Sequence, residues 1–192
     1  MSTNQLKLRN MIITALFTAI IGILAQLTIP LPLVPITGQT LAIGLAATIL
    51  GSRYGTYSVL LYLIIGSAGV PVFAEFSGGL SVLVGPTGGF LVGFVPATLL
   101  MGWIMEKWGF TFKNAIAANI IGMFITLLFG TFWLSFAAKL SLPAAFASGF
   151  TPFLPVGVIK AVLAAWMGII VRNRLISARL LTPVQTSIKH PI

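Results

Sequence analysis

A single lysine, Lys160, stands inside a long apolar stretch and carries the clearest chemical implication in the chain. Its neighbours from Val156 to Trp166 are otherwise apolar, small or aromatic. An ammonium group inside a bilayer costs at least about 2.5–3.5 kcal/mol on insertion scales, so it needs a partner. The chain has only two acidic residues, Glu75 and Glu106, and both flank the apolar stretches. An anionic ligand would supply the missing charge. The alternatives are that Lys160 snorkels to the membrane interface or pairs with Glu75.

The residues that are missing exclude most other chemistry. The sequence has no cysteine and no aspartate, and its one histidine, His190, lies near the C-terminus. Neither a Ser/His/Asp triad nor a metal site of histidines and carboxylates can be assembled from this set. No glycine precedes a lysine, so there is no Walker A loop. We therefore expect no enzyme activity, no metal and no cofactor.

Composition places the chain in a membrane. Of its 192 residues, 58% are hydrophobic and 7% are charged, whereas a soluble domain carries about 25% charged residues. The net charge of +9 therefore does not indicate nucleic acid. Continuous apolar runs, rather than alternating polarity, favour helices over an outer-membrane barrel. The prediction is an all-α integral membrane protein whose residues 1–192 form one transmembrane domain.

Six apolar segments approach the length of about 20 residues that crosses a bilayer. The predicted spans are Met11–Ile29, Thr37–Gly51, Gly55–Gly69, Gly88–Met105, Asn114–Ala138 and Phe153–Val171. The second and third are short for a crossing, which suggests tilted or broken helices.

The basic residues predict the orientation. Nine of the eleven fall on one side, in the N-terminus, two alternate turns and the C-terminal tail. Cytoplasmic loops carry this excess. We expect a multi-pass protein of the cell membrane, with a cytoplasmic N-terminus over about residues 1–10 and a cytoplasmic tail over about 172–192.

The outward connections predict a pocket. Pro30, Pro32 and Pro35 force a stiff, extended segment, which is apolar and should pack against the protein. Irregular backbone at membrane depth is tolerated where it is buried in protein or lines a cavity. Two such segments, around 30–40 and 69–89, favour a lidded pocket, although tight turns between helices remain the alternative.

Several polar or small residues inside the spans need partners of their own. Gln39 adjoins the proline-rich segment, so ligand contact and bonding between helices are both open. For Gln26 and Asn119, bonding between helices is favoured. Ala15 and Ala19 are spaced so that another helix can approach closely, either within the protein or from a partner.

The order of these motifs resembles the BioY family, the biotin-binding S-components of energy-coupling factor (ECF) transporters. Four runs carry the resemblance. They read PLVPITGQT from Pro32 to Thr40, GVPVFA from Gly69 to Ala74, GPTGG from Gly85 to Gly89, and PFLP from Pro152 to Pro155, with Lys160 following the last run. They extend over nearly the whole chain.

The resemblance implies a six-helix S-component fold with an outward-facing pocket for biotin. Lys160 matches the family's lysine in span six, and many relatives have an aspartate three positions earlier, where this chain has Gly157. The predicted substrate site comprises Lys160, Gln39, Thr37, Glu75, Phe73 and Gly157.

The family also implies partners. Ala15 and Ala19 match the motif through which S-components dock onto a transmembrane coupling subunit, which carries two ATPase subunits and would supply the energy. Membrane lipid surrounds the chain, and no nucleic acid is expected. The alternatives are an S-component for another vitamin, such as thiamine or riboflavin, a small ion-coupled transporter, or a purely structural subunit. Proton coupling normally needs an acid inside the membrane, and the spans have none.

Overall fold

The computed structural model describes residues 3–181, so Lys189 and His190 of the predicted tail lie outside the described residues. Helices dominate, and a two-stranded antiparallel hairpin follows the first of them. In chain order the elements are α1 (Thr3–Ala25), β1 (Thr28–Ile29), β2 (Ile36–Thr37), α2 (Gln39–Ser67), a 3₁₀ turn (Ala74–Phe76), α3 (Leu80–Val84), α4 (Gly88–Trp108), α5 (Phe112–Ala137), α6 (Leu142–Gly149) and α7 (Phe153–Ser177).

The predicted second and third spans form one element, α2, that is broken at Gly51. Gly51 has φ 81° and ψ −169°, a conformation that glycine adopts readily because it has no Cβ. The two limbs fold back on each other, since Gln39 Nε2 on the first donates a 2.5 Å hydrogen bond to Tyr62 Oη on the second. The two limbs correspond to the predicted second and third spans, which the structure joins at Gly51 into a helical hairpin.

Four helices are long and apolar enough to cross a membrane among the described residues. They are α1 from Leu8 onward, α4, α5 and α7. The limbs of α2 are about 18 and 24 Å long at ~1.5 Å per residue, less than the ~30 Å of a hydrocarbon core. The all-helical membrane architecture agrees with the prediction, and the short helices α3 and α6 occupy what the sequence suggested were connections.

Packing centres on α4 and α2. Helix α4 lies against α5 and the α2 hairpin, while α2 also contacts α1 and α7. Gly89 and Gly93 of α4 lie against Trp133 and Phe129 of α5, so a Cβ at either glycine would crowd those side chains. These small residues serve internal packing.

Polar contacts join three helices at the end of the bundle where α2 bends. The Glu106 carboxylate accepts hydrogen bonds of 2.7 Å from Ser52 N and from Ser52 Oγ, and so caps the second limb. Arg172 donates to the carbonyl oxygen of Ile49 and stacks on Phe110. Helix α7 thus continues past the predicted span end at 171, and Arg172 is buried rather than part of a free tail.

Candidate functional site

A cavity of about 410 Å³ lies between the first loop, the 73–87 segment and helices α2, α4, α5 and α7. Five of the six predicted site residues line it: Thr37, Gln39, Phe73, Glu75 and Lys160. Its remaining surface is mostly apolar, with Phe90, Phe94 and Leu127 among the wall residues. The two irregular segments therefore enclose a pocket, as predicted, rather than forming only tight turns.

The proline-rich loop covers one side of this cavity. Strands β1 and β2 pair Thr28 with Thr37 and Ile29 with Ile36, which ties the two ends of the loop together. At its centre Val34 is 5% exposed and packs with Phe90, as the apolar composition of the loop predicts. Prolines hold φ near −65°, so the loop enters the site with little conformational freedom.

Lys160 reaches from α7 across the cavity to the start of α2. Its Nζ donates hydrogen bonds to Thr37 O at 2.6 Å and to Thr40 Oγ1 at 3.3 Å. Neither snorkelling nor pairing with Glu75 describes this position, and no carboxylate within residues 3–181 bonds to the ammonium. An ammonium has three N–H donors. One of the three donors is therefore unused among the described residues.

Gln39 is 6% exposed and its carboxamide is used within the protein. Its Oε1 accepts a 2.8 Å bond from Thr37 Oγ1, and its Nε2 donates to Tyr62 Oη. For Gln39 the sequence left open both ligand contact and bonding between helices, and the structure shows the second, between the two limbs of α2. The side chain also lines the cavity, where its second N–H remains available.

Phe73 and Glu75 line the cavity from the segment between α2 and α3. Phe73 is 1% exposed, and its ring meets Tyr62 edge-on with centroids 5.3 Å apart. Glu75 is exposed at the cavity mouth. Both Glu75 and the next residue, Phe76, have positive φ, at 58° and 54°, which is uncommon outside glycine. The chain therefore holds this turn in an unfavourable backbone conformation.

Gly157 is not part of the main cavity. It lines a neighbouring space of about 40 Å³ with Lys160, Met123 and Asn119. A Cβ at Gly157 would lie 2.5 Å from Met123 Sδ, so any side chain there would have to displace Met123. Gly157 therefore adjoins Lys160 without lining the main cavity, and its contact with a substrate stays a prediction.

Thr126 of α5 is a site residue that the sequence did not single out. It lines both the main cavity and the smaller one, is 2% exposed, and its hydroxyl has no hydrogen-bond partner among residues 3–181. A buried hydroxyl without a partner is costly. The available signal was a threonine inside an apolar span, which is too common to identify a site.

Ala15 and Ala19 lie elsewhere, on an exposed face of α1. They line a groove of about 440 Å³ with Leu61, Ile65 and Val72, among others. The two alanines therefore lie on a surface of α1 that is open to the outside of the bundle. Asn119 serves contacts between helices of this chain, because its Nδ2 donates to Thr48 Oγ1 of α2 at 3.0 Å.

A helical membrane bundle with a small cavity under two loops, and with a lysine in its wall that bonds no carboxylate of residues 3–181, defines a membrane-embedded binding protein for a small solute. The sequence profile of the BioY family matches residues 1–177. The chain belongs to the BioY family, as its motifs predicted. It is accordingly a transporter component and not an enzyme.

Individual relatives agree with this assignment. The biotin transporter BioY2 of Lactococcus lactis subsp. cremoris is 42% identical over 163 residues, which cover 85% of this chain and 90% of that protein. The biotin transporter BioY of Thermotoga maritima is 40% identical over 158 residues, covering 82% and 92%. A crystal structure of the S-component for biotin from an ECF-type ABC transporter matches with a TM-score of 0.80 and 30% identity, covering 90% of this chain and 95% of that one.

Proposed function

We propose that this chain is the biotin-binding membrane subunit of a biotin uptake system and delivers its substrate through an ATP-driven ECF module. One observation carries the proposal. The ammonium of Lys160 lies in the wall of the cavity, bonded to two neutral oxygens and to no carboxylate of residues 3–181. Biotin as the ligand is supported by the relatives, which are biotin transporters, and by the matching structure, which is an S-component for biotin.

The chemistry of biotin suits this cavity. The vitamin joins a carboxylate, on an aliphatic chain, to an apolar bicyclic ring that ends in a neutral ureido group. Its anionic or polar end would take the free donor and charge of Lys160. Phe90, Phe94 and Leu91 would pack against its apolar part. The volume of 410 Å³ lies within the range of roughly 300–1,000 Å³ found for small-molecule sites.

The other site residues take distinct roles in this proposal. Thr37 fixes Lys160 through its carbonyl and Gln39 through its hydroxyl, so one residue orients two ligand-facing groups. Phe73 contributes an apolar wall, and Glu75 offers an acceptor for a ureido N–H at the mouth. Gly157 leaves the space beside Lys160 open, which a larger side chain would fill.

We assign the groove at Ala15 and Ala19 to a transmembrane helix of the ECF coupling subunit, which carries two ATPase subunits. The support is that both alanines are exposed on a helix long enough to cross the membrane. Two small residues one helical turn apart let a second backbone approach closely. The chain itself has no phosphate-binding loop, so the energy must come from such a partner.

The cell membrane is the location that this role requires, with lipid against the exposed apolar faces of the long helices. We propose that both termini are cytoplasmic, which follows from the asymmetry of the basic residues. The cavity and its loops then face outward, where they meet the vitamin. Protease protection or tag accessibility in oriented membranes would test this topology.

Equilibrium binding to the purified chain tests the proposed function. Labelled biotin should bind saturably, and unlabelled biotin should displace it, whereas thiamine and riboflavin should not. Preferential binding of another vitamin would assign the chain to a different substrate. Binding of none of them, by a protein that remains folded, would refute the role as a vitamin-binding subunit.

A further inference from the structure

The side chain of Gln26, at the end of α1, is bonded to the turn that covers the substrate cavity. Its Nε2 donates to Phe73 O at 3.0 Å, Val72 O at 3.3 Å and Gly22 O at 3.1 Å. Its Oε1 accepts a 2.9 Å bond from Phe76 N. The orientation of this carboxamide is fixed, since carbonyl oxygens only accept and an amide N–H only donates. Gln26 therefore bonds a loop backbone rather than another helix, contrary to the sequence-based expectation.

The turn needs such support. Glu75 and Phe76 are consecutive residues with positive φ, and neither is glycine. Backbone in this region persists only where the surroundings over-determine it. The turn has some bonds of its own, from Phe73 N to Ser77 O and from Ser77 Oγ to Ala74 O. The N–H of Phe76, in the strained part, bonds instead to Gln26.

The same turn separates the cavity from the α1 groove. Phe73 and Glu75 line the cavity, whereas Val72 and Phe76 line the groove. Gln26 itself lines the groove. Gln26 therefore lies on the groove surface, whereas Phe73 and Glu75, in the turn that Gln26 bonds, lie in the proposed substrate site.

We infer that Gln26 is a positioning residue for the substrate site, which it serves by holding the 72–76 turn against α1 in its strained conformation. This inference rests on the proposed function. It assigns no contact between Gln26 and the ligand. The hydrogen bonds of Gln26 lie where an occupant of the groove would contact them. The groove and the cavity therefore share the 72–76 turn as a common wall.

Gln26→Met tests the inference, because methionine keeps the length of the side chain and removes every hydrogen bond. The matched control is Asn114→Leu, which removes a carboxamide that likewise donates to two backbone carbonyls, Trp108 O and Gly109 O, outside the cavity and the groove. In the Gln26 variant, labelled biotin should dissociate at least about fivefold faster, the scale of one lost hydrogen bond, with a smaller change in association rate. The control should keep wild-type rates.

Hydrogen exchange provides a readout that does not depend on biotin. Amides of residues 72–77 should exchange faster in Gln26→Met than in the wild type, while the core of α4 keeps its protection. If the wild type fails to bind biotin but the turn loosens, the proposed function fails and the positioning role stands. If the wild type binds biotin and the variant shows unchanged dissociation and exchange, the positioning role is refuted.

Discussion

Replacing Lys160 by methionine removes the charge on which the proposed site depends and keeps most of the side-chain volume. The ammonium bonds Thr37 O and Thr40 Oγ1 and has one donor left for the ligand. A hydrogen bond that involves a charged group contributes about 1.5–3 kcal/mol, and about 1.4 kcal/mol corresponds to a factor of ten. Biotin affinity should therefore fall by at least about 10- to 100-fold.

The assay is equilibrium binding of labelled biotin to the purified variant, together with thermal unfolding. Lys113→Met is the matched control, because it removes the same charge from an exposed position at the start of α5. The control should bind like the wild type. The Lys160 variant should remain folded, with a modest loss of stability from the unpaired Thr37 carbonyl. Wild-type affinity in a folded Lys160 variant would refute the electrostatic reasoning.

Three further changes test other parts of the account. Ala15→Leu combined with Ala19→Leu should fill the α1 groove and leave biotin binding intact, but abolish biotin uptake in cells that contain the ECF module. Unchanged uptake would contradict the docking role. Gly157→Leu should displace Met123 and close the space beside Lys160, so the free energy of unfolding should fall by roughly 1–3 kcal/mol and biotin affinity should fall as well. An unaltered dissociation constant would show that this space is irrelevant to the ligand. Thr126→Val removes a buried hydroxyl that has no partner in the described part of the chain, so the ligand-free protein should gain about 1–3 kcal/mol of stability, measured as a higher unfolding temperature. A clear destabilisation would mean that the hydroxyl is bonded in the folded protein.

The site was predicted from residues that are unusual in an apolar chain, and not from a periodic sequence pattern. Lys160 was identifiable because a cation in an apolar helix lacks an acid in that helix, and the loops were identifiable by their prolines and glycines. The partner atoms of Lys160 were not predictable. Thr37 lies 123 positions away in the chain, and nothing local to either residue encodes that they meet.

The errors have similar physical causes. The predicted turn between the second and third spans covered residues 52–54, whereas the chain turns at Gly51 alone, and the sequence does not show that one glycine is sufficient. Gly157 shares a helix face with Lys160 because the two are three residues apart, yet Met123 from another helix lies against it. Helix α6 had a detectable signal in Pro143 within its first turn, a position that favours a helix start.

The decisive experiment on the binding role of Lys160 is a structure of the chain with biotin bound. Ligand density should lie in the cavity between the proline-rich loop and α7, with a polar atom of biotin within hydrogen-bond distance of Lys160 Nζ. Density at another site, or an empty cavity at a biotin concentration that saturates binding in solution, would contradict this role.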